Sequence, residues 1–522
     1  MSDVSLGGRE RPVQTARWMG RAAITATGIS IAAIAAIGAL GPSAAVPEFG
    51  SAAPWPPWFA TADPSPTLVS VILWAAVLLG GAGLSAGLLA VRWGWRPRPG
   101  RLIAGSVVAV LALLVIPPVG STDIMDYAVY GRIAAIGHSP YRMTPLQLKS
   151  TGDPVGAAAP IPWDNDPSVY GPLATATEWV AAELGAGSPG RTVFWLKAWN
   201  GLAYLALVLG LDRLARSDAA RRARAHLLWS VNPLMLLAVM AGGHVDGLSA
   251  AIAFFALVSL CPGGAWRPAP RRWLLAGLLL GAAAAVKAPL LLVAAGLGWL
   301  ARRSPRALAA FGIGMLAVLL PCYLVAGWPA VTAVAGRAAG APAVYEPWQL
   351  LARGLGLSLG NSTIDLLGVA GAVILAVIML WRLPPGPASY PFARPALALM
   401  LAWLLATPQQ RPWYDAAIFP LLALMPATRL DWIVVIRAVT AALAELPGVT
   451  YYPYLVPGWL MATAKVISTT LAPLVLAGTV VALLWLCVSG RWNAADGSGS
   501  HSSTVADLGE VAAAPVSAPL DG

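Results

Sequence analysis

The amino-acid sequence predicts an all-α polytopic membrane protein, a bundle of about 13 to 14 transmembrane helices with a large first extracytoplasmic loop. Of the 522 residues, 58% are hydrophobic and only 11% are charged, whereas soluble globular proteins carry about 25% charged residues. The mean hydropathy is +0.70. Short arginine clusters separate the long apolar runs, as they do between membrane helices. A soluble enzyme is therefore excluded, and so is disorder away from the two ends.

The apolar runs define the candidate spans, because a membrane-spanning helix needs roughly 20 apolar residues and fewer where it is short or re-entrant. They cover residues 20–40, 67–91, 102–118, 191–211, 226–241, 247–262, 273–286, 288–300, 308–326, 362–381, 396–407, 415–426, 432–446 and 466–489. Arginines mark the cytoplasmic side. Their clusters begin at Arg9, Arg92, Arg213, Arg267 and Arg302, and others follow at Arg382, Arg394, Arg429 and Arg491. With this set of helices all of them fall on one side.

The run from residue 273 to residue 300 could form one long helix or two short ones. Basic residues flank both of its ends, so both ends should be cytoplasmic. A hairpin of two short helices satisfies this requirement and places Lys287 at the outer turn. Pro289 is a natural break, because proline has no backbone N–H to donate.

We predict three segments along the chain. Residues 1–19 form a cytoplasmic N-terminal segment, 20–490 the transmembrane domain, and 491–522 a disordered cytoplasmic tail that is rich in Ser, Gly and Ala. The first apolar run could be a signal peptide, since Ser43-Ala44-Ala45 follows it, but we favour a retained anchor. Both termini are then cytoplasmic.

The longest non-apolar segment runs from residue 119 to residue 190, and the predicted topology places it outside the cell. Tyr, Trp and Pro are frequent in it and Ser/Gly repeats are not, so we expect a folded loop. Loops of this length are usually functional or disordered. We predict a short helix from Tyr127 to Ile136 at the membrane interface, with Tyr127 and Tyr130 as interfacial anchors.

Asp123 follows the third apolar run almost directly and is a candidate catalytic base. Partial burial raises the pKa of a carboxylate and strengthens its pull on a nearby hydroxyl proton. The sequence Ser121-Thr122-Asp123 is also typical of a helix N-cap, so spacing alone leaves capping and catalysis both open. Asp126, one helical turn further on, could cap, pair with Arg132 or assist the base.

Two more polar groups lie on the same predicted face. His244 and Asp246 stand in a glycine-rich turn that could bind a sugar or a phosphate, or could simply cap a helix. Lys287 lies in an apolar hairpin, where a lysine at mid-helix costs about 3 kcal/mol. It therefore needs an anionic partner, for which a lipid phosphate is suitable, or a route by which it snorkels to the headgroups.

Arg411 breaks the positive-inside pattern, because the predicted topology places it outside. Prolines bracket it, and Trp413 and Tyr414 follow. This combination fits phosphate recognition by the guanidinium and an aromatic shelf for the face of a sugar. The alternative is an interfacial Trp/Tyr belt with a snorkelling arginine.

Several short motifs give the chain a resemblance to a known family. They are Ser121 to Tyr127, Gly137 to Tyr141, Val169 to Pro172, Asn232 to Asp246, and Pro412 to Tyr414. The chain resembles the actinobacterial polyprenol-phosphate-mannose-dependent α-1,6-mannosyltransferases that build the core of lipomannan and lipoarabinomannan. These belong to the C-type glycosyltransferase superfamily (GT-C). Asp126, Ser139 and Asp246 stand where the family pattern has other residues.

The resemblance implies an inverting glycosyltransferase of the cell envelope. Its donor would be polyprenyl phosphate mannose, and its acceptor the 6-hydroxyl of a lipid-anchored mannan, on the extracytoplasmic face of the plasma membrane. Asp123 matches the family's catalytic carboxylate. The further expected site residues are Asp126 beside this base; Lys287, Arg411 and His244 for the donor phosphate; and Asp246, Tyr127, Tyr170, Trp413 and Tyr414 for the substrates.

Membrane lipids are expected partners, whereas no cofactor, metal ion or nucleic acid is. The net charge of +11 sits in short clusters between apolar runs, and the three cysteines lack metal-ligand spacing. Three alternatives stay open. A related transferase could use another polyprenyl-phosphate-linked sugar, such as glucose or arabinose. A secondary transporter predicts an internal repeat and ionisable residues at the bilayer midplane, and a structural or flippase-like membrane partner predicts no clustered acid–base pair.

Overall fold

The computed structural model describes residues 7–48, 55–336, 342–358, 362–447 and 456–493. In these ranges the chain is helical or irregular, apart from an isolated β-bridge between Ser43 and Val46. Within the described ranges, seven helices are long and apolar enough to cross a membrane, and four shorter apolar helices accompany them. The predicted all-α polytopic fold is confirmed. The predicted count of spans stays a prediction, since several segments are short.

The helices of the N-terminal half are α1 Gly7–Leu40, α2 Pro66–Arg92, α3 Pro99–Leu114, α4 Asp123–Ala135, α5 Pro145–Ser150, α6 Pro172–Gly185, α7 Pro189–Ala215, α8 Ala219–Ala225, α9 Pro233–Met235 and α10 Asp246–Val258. Those of the C-terminal half are α11 Pro270–Val286, α12 Leu291–Ala301, α13 Pro305–Ala326, α14 Trp328–Gly336, α15 Trp348–Leu355, α16 Ser362–Arg382, α17 Ala393–Ala406, α18 Ile418–Leu424, α19 Leu430–Glu445, α20 Gly458–Val466 and α21 Ala472–Ser489.

Helix α1 begins well before the predicted residue 20 and packs along α2. Small residues allow this close approach, as is common between membrane helices. Gly80 of α2 faces Ser30 of α1, whose hydroxyl donates to the carbonyl of Ala76 at 2.7 Å. The predicted tail beyond residue 493 lies outside the described residues.

The predicted helix 226–241 is part of a longer segment that breaks in the middle. α8 continues through a π-helical stretch to Ser230, and a second π-helical stretch, Leu236–Ala241, follows α9. Pro233 starts α9, and the Asn232 side chain accepts from the backbone N–H of Leu234 at 3.0 Å. This almost completely buried segment leads directly into the turn that carries His244.

The chain breaks at Lys287, as predicted. Lys287 has extended backbone angles between α11 and the next helical turn. Gly277 lies against Phe311 and Gly281 against Met315, so α11 and α13 run parallel. Parallel helices require the chain to reverse twice between them, at 287–290 and at 302–304. The predicted hairpin is therefore confirmed, with Lys287 at its turn.

The first large loop is folded around α4 and α6. α4 begins at Asp123, four residues before the predicted start, and packs against α6 and α7. Tyr127 and Tyr130 are 0% and 3% exposed, so the prediction that they are interfacial anchors is wrong. The helix is covered by its own neighbours, and its tyrosines face the interior instead of lipid headgroups.

Candidate functional site

Asp123 is the first residue of α4, and its side chain lines two cavities. Its backbone N–H donates to the Ser121 hydroxyl at 3.2 Å. The N-cap is Thr122, whose side chain makes no capping hydrogen bond. Asp123 is therefore not the N-cap residue, and the capping alternative for it is wrong.

His244, in the glycine-rich turn predicted as a second site, lies next to Asp123. Its Nδ1 lies 3.6 Å from Oδ2 of Asp123 and 3.4 Å from the Tyr127 hydroxyl. The imidazole also stacks on the Trp413 ring, with 3.6 Å between centroids. Burial, and then the positive charge of Lys287, hold the pKa of His244 well below its usual value. The ring is thus neutral at neutral pH and can donate from only one nitrogen.

A glycine is required immediately before this histidine. Gly243 has φ of +75°, a left-handed conformation that side chains with a Cβ rarely adopt. A Cβ on Gly243 would also collide with the side chain of Ile124, the residue after Asp123. The turn can therefore approach α4 closely enough for His244 to reach Asp123.

Lys287 pairs with Asp246 at 2.7 Å between Nζ and Oδ2, and both side chains are buried. The ammonium also lies 4.3 Å from the centroid of the Tyr414 ring and 5.5 Å from that of Tyr170. Such positions over aromatic faces stabilise a cation. The alternative in which Lys287 snorkels to ordinary headgroups is therefore wrong, because its charge is held inside the protein.

Arg411 also has an acidic partner, Glu445, which sequence reasoning did not identify. Nη1 of Arg411 lies 3.4 Å from Oε1 of Glu445, and their side chains are 17% and 24% exposed. Glu445 ends α19, at the end of a long apolar run. Its position as an isolated acid there was the one signal the sequence offered.

Asp126 does not pair with Arg132. Arg132 instead bonds Asp153, with 2.8 Å between Nε and Oδ2. Asp126 is 4% exposed, and its Oδ1 is buried without a hydrogen-bond partner. Burial, and then the nearby charge of Asp123, raise the pKa of Asp126 well above its usual range. Asp123 is the more exposed of the two carboxylates, since its side chain is 19% exposed.

Two cavities meet at this cluster. One is polar, lined by Asp123, Asp126, Asp166 and Glu445 together with Tyr130 and Trp163. The other is mainly apolar, has a volume of about 500 Å³ and extends between α12, α14, α16 and α17. Both are lined by Asp123, Val169, Tyr170, Arg411 and Trp413. Lys287 and Tyr414 line only the apolar one.

The structure thus brings the predicted site residues together in one cluster around Asp123, His244 and Lys287. Trp413 does not present an open shelf on both faces, because His244 covers one of them. In the ranges that the structure describes, no group of three or more His, Cys, Asp or Glu side chains is arranged to hold a metal ion.

Comparison with known proteins assigns the family. The model of the alpha-(1→6)-mannopyranosyltransferase N-terminal domain matches residues 25–303, more than half of the chain. This range contains Asp123, His244, Asp246 and Lys287. The chain belongs to the alpha-(1→6)-mannopyranosyltransferase family. The resemblance seen in the sequence motifs is confirmed.

Three relatives of this mannopyranosyltransferase family are moderately similar. A probable alpha-(1→6)-mannopyranosyltransferase of Mycolicibacterium smegmatis is 26% identical over 65% of this chain and 66% of its own length. Alpha-(1→6)-mannopyranosyltransferase B of Corynebacterium glutamicum is 25% identical over 60% and 57%, respectively. An alpha-(1→6)-mannopyranosyltransferase of Mycobacterium tuberculosis is 27% identical over 31% and 28%. The matches thus span less than two thirds of each relative.

Proposed function

We propose that this membrane protein transfers mannose from polyprenyl phosphate mannose to the 6-hydroxyl of a lipid-anchored mannan, with inversion to an α-1,6 linkage. The observation that carries the proposal is the position of Asp123 at the junction of an apolar cavity and a polar cavity. A lipid-linked donor and a sugar acceptor need two such compartments with a base between them. Family membership and the names of the relatives support mannose as the sugar.

The apolar cavity suits the polyprenyl chain of the donor. Its lining includes Leu292 of α12, Val373 of α16, and Leu399 and Trp403 of α17. Isoprenoid carbon in such a cavity would be held by van der Waals contacts, because the lipid tails that it leaves are as apolar as the cavity lining. The phosphate at the end of the chain would then lie where Lys287 and Arg411 line the same cavity.

The two cations can bind that phosphate without leaving their acidic partners. A lysine has three donors, and Asp246 accepts from one of them. The guanidinium of Arg411 has five donors in a planar fork that matches phosphate geometry. Negative charge grows on the phosphate as its bond to the sugar breaks, and preorganised cations stabilise that charge most strongly in a water-poor site.

Asp123 is the proposed base. Its carboxylate takes the proton from the acceptor hydroxyl as that oxygen attacks C1 of mannose, and the C1–O bond to the phosphate breaks. The bonding electrons leave with the lipid phosphate, so one displacement inverts C1. His244, neutral and 3.6 Å away, would orient the carboxylate or hydrogen-bond the substrate. The donor-phosphate contact expected for His244 stays a prediction.

An assay in membranes with radiolabelled polyprenyl phosphate mannose tests the function. Wild type should transfer label to a short α-1,6-mannoside acceptor, and linkage analysis should find the new bond at the 6-position. Asp123→Asn should lose transfer by about 10² to 10⁴-fold, the usual contribution of a positioned base. Unchanged turnover in this variant, at equal expression, would remove Asp123 as the base.

We place the site on the extracytoplasmic face of the plasma membrane, with both termini in the cytoplasm. The support is the distribution of arginines, which cluster away from the site along the chain. A reporter enzyme fused in the loop near Lys149 and a second fused after Arg491 test this topology. The first should report from outside and the second from inside. The opposite result would place the chemistry in the cytoplasm.

A further inference from the structure

Helix α7 carries two buried donors that do not belong to the site. Lys197 is 0% exposed and Asn200, one turn further on, is 3% exposed. Nζ of Lys197 donates to the carbonyl of Ile116 at 2.9 Å and reaches that of Pro117 at 3.5 Å. Nδ2 of Asn200 donates to the carbonyl of Gly243 at 3.0 Å. Side chains of α7 therefore hydrogen-bond two chain segments that are far apart in sequence.

These two segments are the ones that end in Asp123 and His244. The carbonyls held by Lys197 precede Asp123, and the carbonyl held by Asn200 directly precedes His244. The segments are also bonded to each other, since the Val119 N–H donates to the Ala241 carbonyl at 3.0 Å. Asp123 and His244, whose side chains are 3.6 Å apart, follow this hydrogen bond along the two segments.

The chemistry of the first segment explains why a side chain has to hold it. Pro117 and Pro118 have no backbone N–H, so this stretch cannot be fixed by a normal set of backbone hydrogen bonds. Lys197 provides a donor that bonds the carbonyl of Ile116 and lies close to that of Pro117. A buried lysine is costly unless such acceptors are in place.

We propose that Lys197 and Asn200 are positioning residues that fix the distance between the Asp123 carboxylate and the His244 imidazole. The proposal rests on the proposed function in so far as this pair forms the reacting site. Neither residue contacts the cavities, so their action passes through the two loops. A base displaced by about 1 Å can lose a hundredfold in rate while substrate binding is kept.

The first experiment separates turnover from donor binding. We expect Lys197→Met and Asn200→Asp to lower kcat by at least tenfold and to leave KM for polyprenyl phosphate mannose within about twofold. Tyr204→Phe is the matched control, because Tyr204 is a buried donor on the same helix whose hydroxyl bonds the Trp229 carbonyl, away from the site. An equal loss of kcat in the Tyr204 variant, or a rise in donor KM in the others, would overturn the proposal.

The second experiment tests whether the loss of turnover in the Lys197 variant arises through Asp123. If Lys197 acts through this carboxylate, Lys197→Met should slow wild type but should hardly slow the Asp123→Asn variant further. Losses that multiply in the double variant would show that Lys197 acts elsewhere, and they would overturn the proposal.

The third experiment does not need activity, so it distinguishes failure of this proposal from failure of the proposed function. Cysteines replace Asp123 and His244 in a chain whose native cysteines, Cys261, Cys322 and Cys487, are changed to alanine. Copper-phenanthroline should link the pair rapidly when Lys197 and Asn200 are present. Linking should be at least fivefold slower with Lys197→Met or Asn200→Asp and unchanged with Tyr204→Phe. Equal rates in all four chains would refute the positioning role even if mannose transfer is confirmed.

Discussion

Lys287 and Asp246 form an ion pair with 2.7 Å between Nζ and Oδ2, and their side chains are only 10% and 7% exposed. Lys287 lies at the break between α11 and α12, and Asp246 is the first residue of α10. Each charge is buried only because the other is present. Removal of one partner of such a pair leaves an uncompensated charge, which is strongly destabilising.

Lys287→Met should therefore lower both stability and donor use. We expect the free energy of unfolding to fall by about 3 to 5 kcal/mol, because Asp246 stays buried without its partner. We also expect KM for the proposed donor to rise at least tenfold, because a proposed ligand of its phosphate is lost. Thermal unfolding in detergent and donor titrations measure the two effects. Lys149→Met, at an exposed lysine of the outer loop, should change neither.

The double variant Lys287→Met with Asp246→Leu separates the two roles. Replacing a buried ion pair with apolar residues is often neutral for stability. The double variant should therefore recover most of the lost stability and none of the donor binding. Recovery of both would mean that the lysine has a purely structural role.

Gly243→Ala should impair the site through backbone geometry alone. The substitution strains a left-handed residue and drives a Cβ into Ile124. A residue held in such a conformation costs about 1 to 3 kcal/mol. The displaced turn should also move His244 from Asp123, so we expect turnover to fall more than stability predicts. Melting temperature and kcat at equal expression measure this.

Gly187→Ala is the matched control, because Gly187 has φ of +76° with no atom within 4 Å of an added Cβ. It should lower stability by a similar backbone cost without the loss of turnover. Trimming the neighbour, in Gly243→Ala with Ile124→Ala, should restore part of the activity. No recovery would argue that the clash with Ile124 is not the cause.

The sequence predicted which polar residues meet, but not how they are paired. Basic flanks and Pro289 were enough to place a break at Lys287, because positive-inside and proline rules act locally. The partner of Lys287 could not be read in the same way, since Asp246 reaches it through helix packing. Glu445 was not predicted as a site residue for a related reason. A lone acid at the end of an apolar run has no local pattern that shows which residue it pairs with.

Burial was also hard to predict for the first loop. Tyr127 and Tyr130 fit an interfacial helix by composition, but Tyr127 packs edge-on against Tyr170 at 4.8 Å and the Tyr130 hydroxyl donates to the Asp166 carbonyl at 3.0 Å. Local amphipathicity does not reveal such contacts. Lys197 likewise could not be linked to the site from the sequence. Its partners are backbone carbonyls, and every residue type has one.

Stability should fall at acidic pH partly because of His244. The pKa of this imidazole is held well below the usual value of 6.5, first by burial and then by Lys287. Below pH 6.5 the unfolded chain therefore binds a proton that the folded chain does not. The stability from the neutral ring is present in full above that pH, and it is lost progressively as the pH falls from there toward the lower pKa of the folded state.

His244→Gln should remove this dependence. We expect the decline in melting temperature between about pH 7 and pH 5 to be shallower in the variant than in wild type, even if the variant is less stable at neutral pH. His138→Gln, at an exposed histidine of the outer loop, should keep the wild-type slope. Parallel curves for wild type and His244→Gln would contradict the assignment of a neutral, buried ring.

The apolar cavity makes a prediction about donor length. Ala372 of α16 lines it, and the larger side chain of a tryptophan there would block part of its volume of about 500 Å³. A long polyprenyl donor would fill more of the open cavity, and make more van der Waals contacts with its walls, than a short one does. Ala372→Trp should therefore raise KM at least tenfold for a long-chain donor and much less for a short-chain analogue.

Chain-length series of polyprenyl phosphate mannose measure this difference. Val481→Trp is the control, since Val481 of α21 is 66% exposed and lies outside the cavity. It should leave the preference for long chains intact. If Ala372→Trp weakened long and short donors equally, the cavity would hold the headgroup region or another molecule, and the isoprenoid chain would have to lie elsewhere on the membrane-facing surface. An unchanged preference for long-chain donors in Ala372→Trp would therefore contradict the assignment of this cavity to the isoprenoid chain.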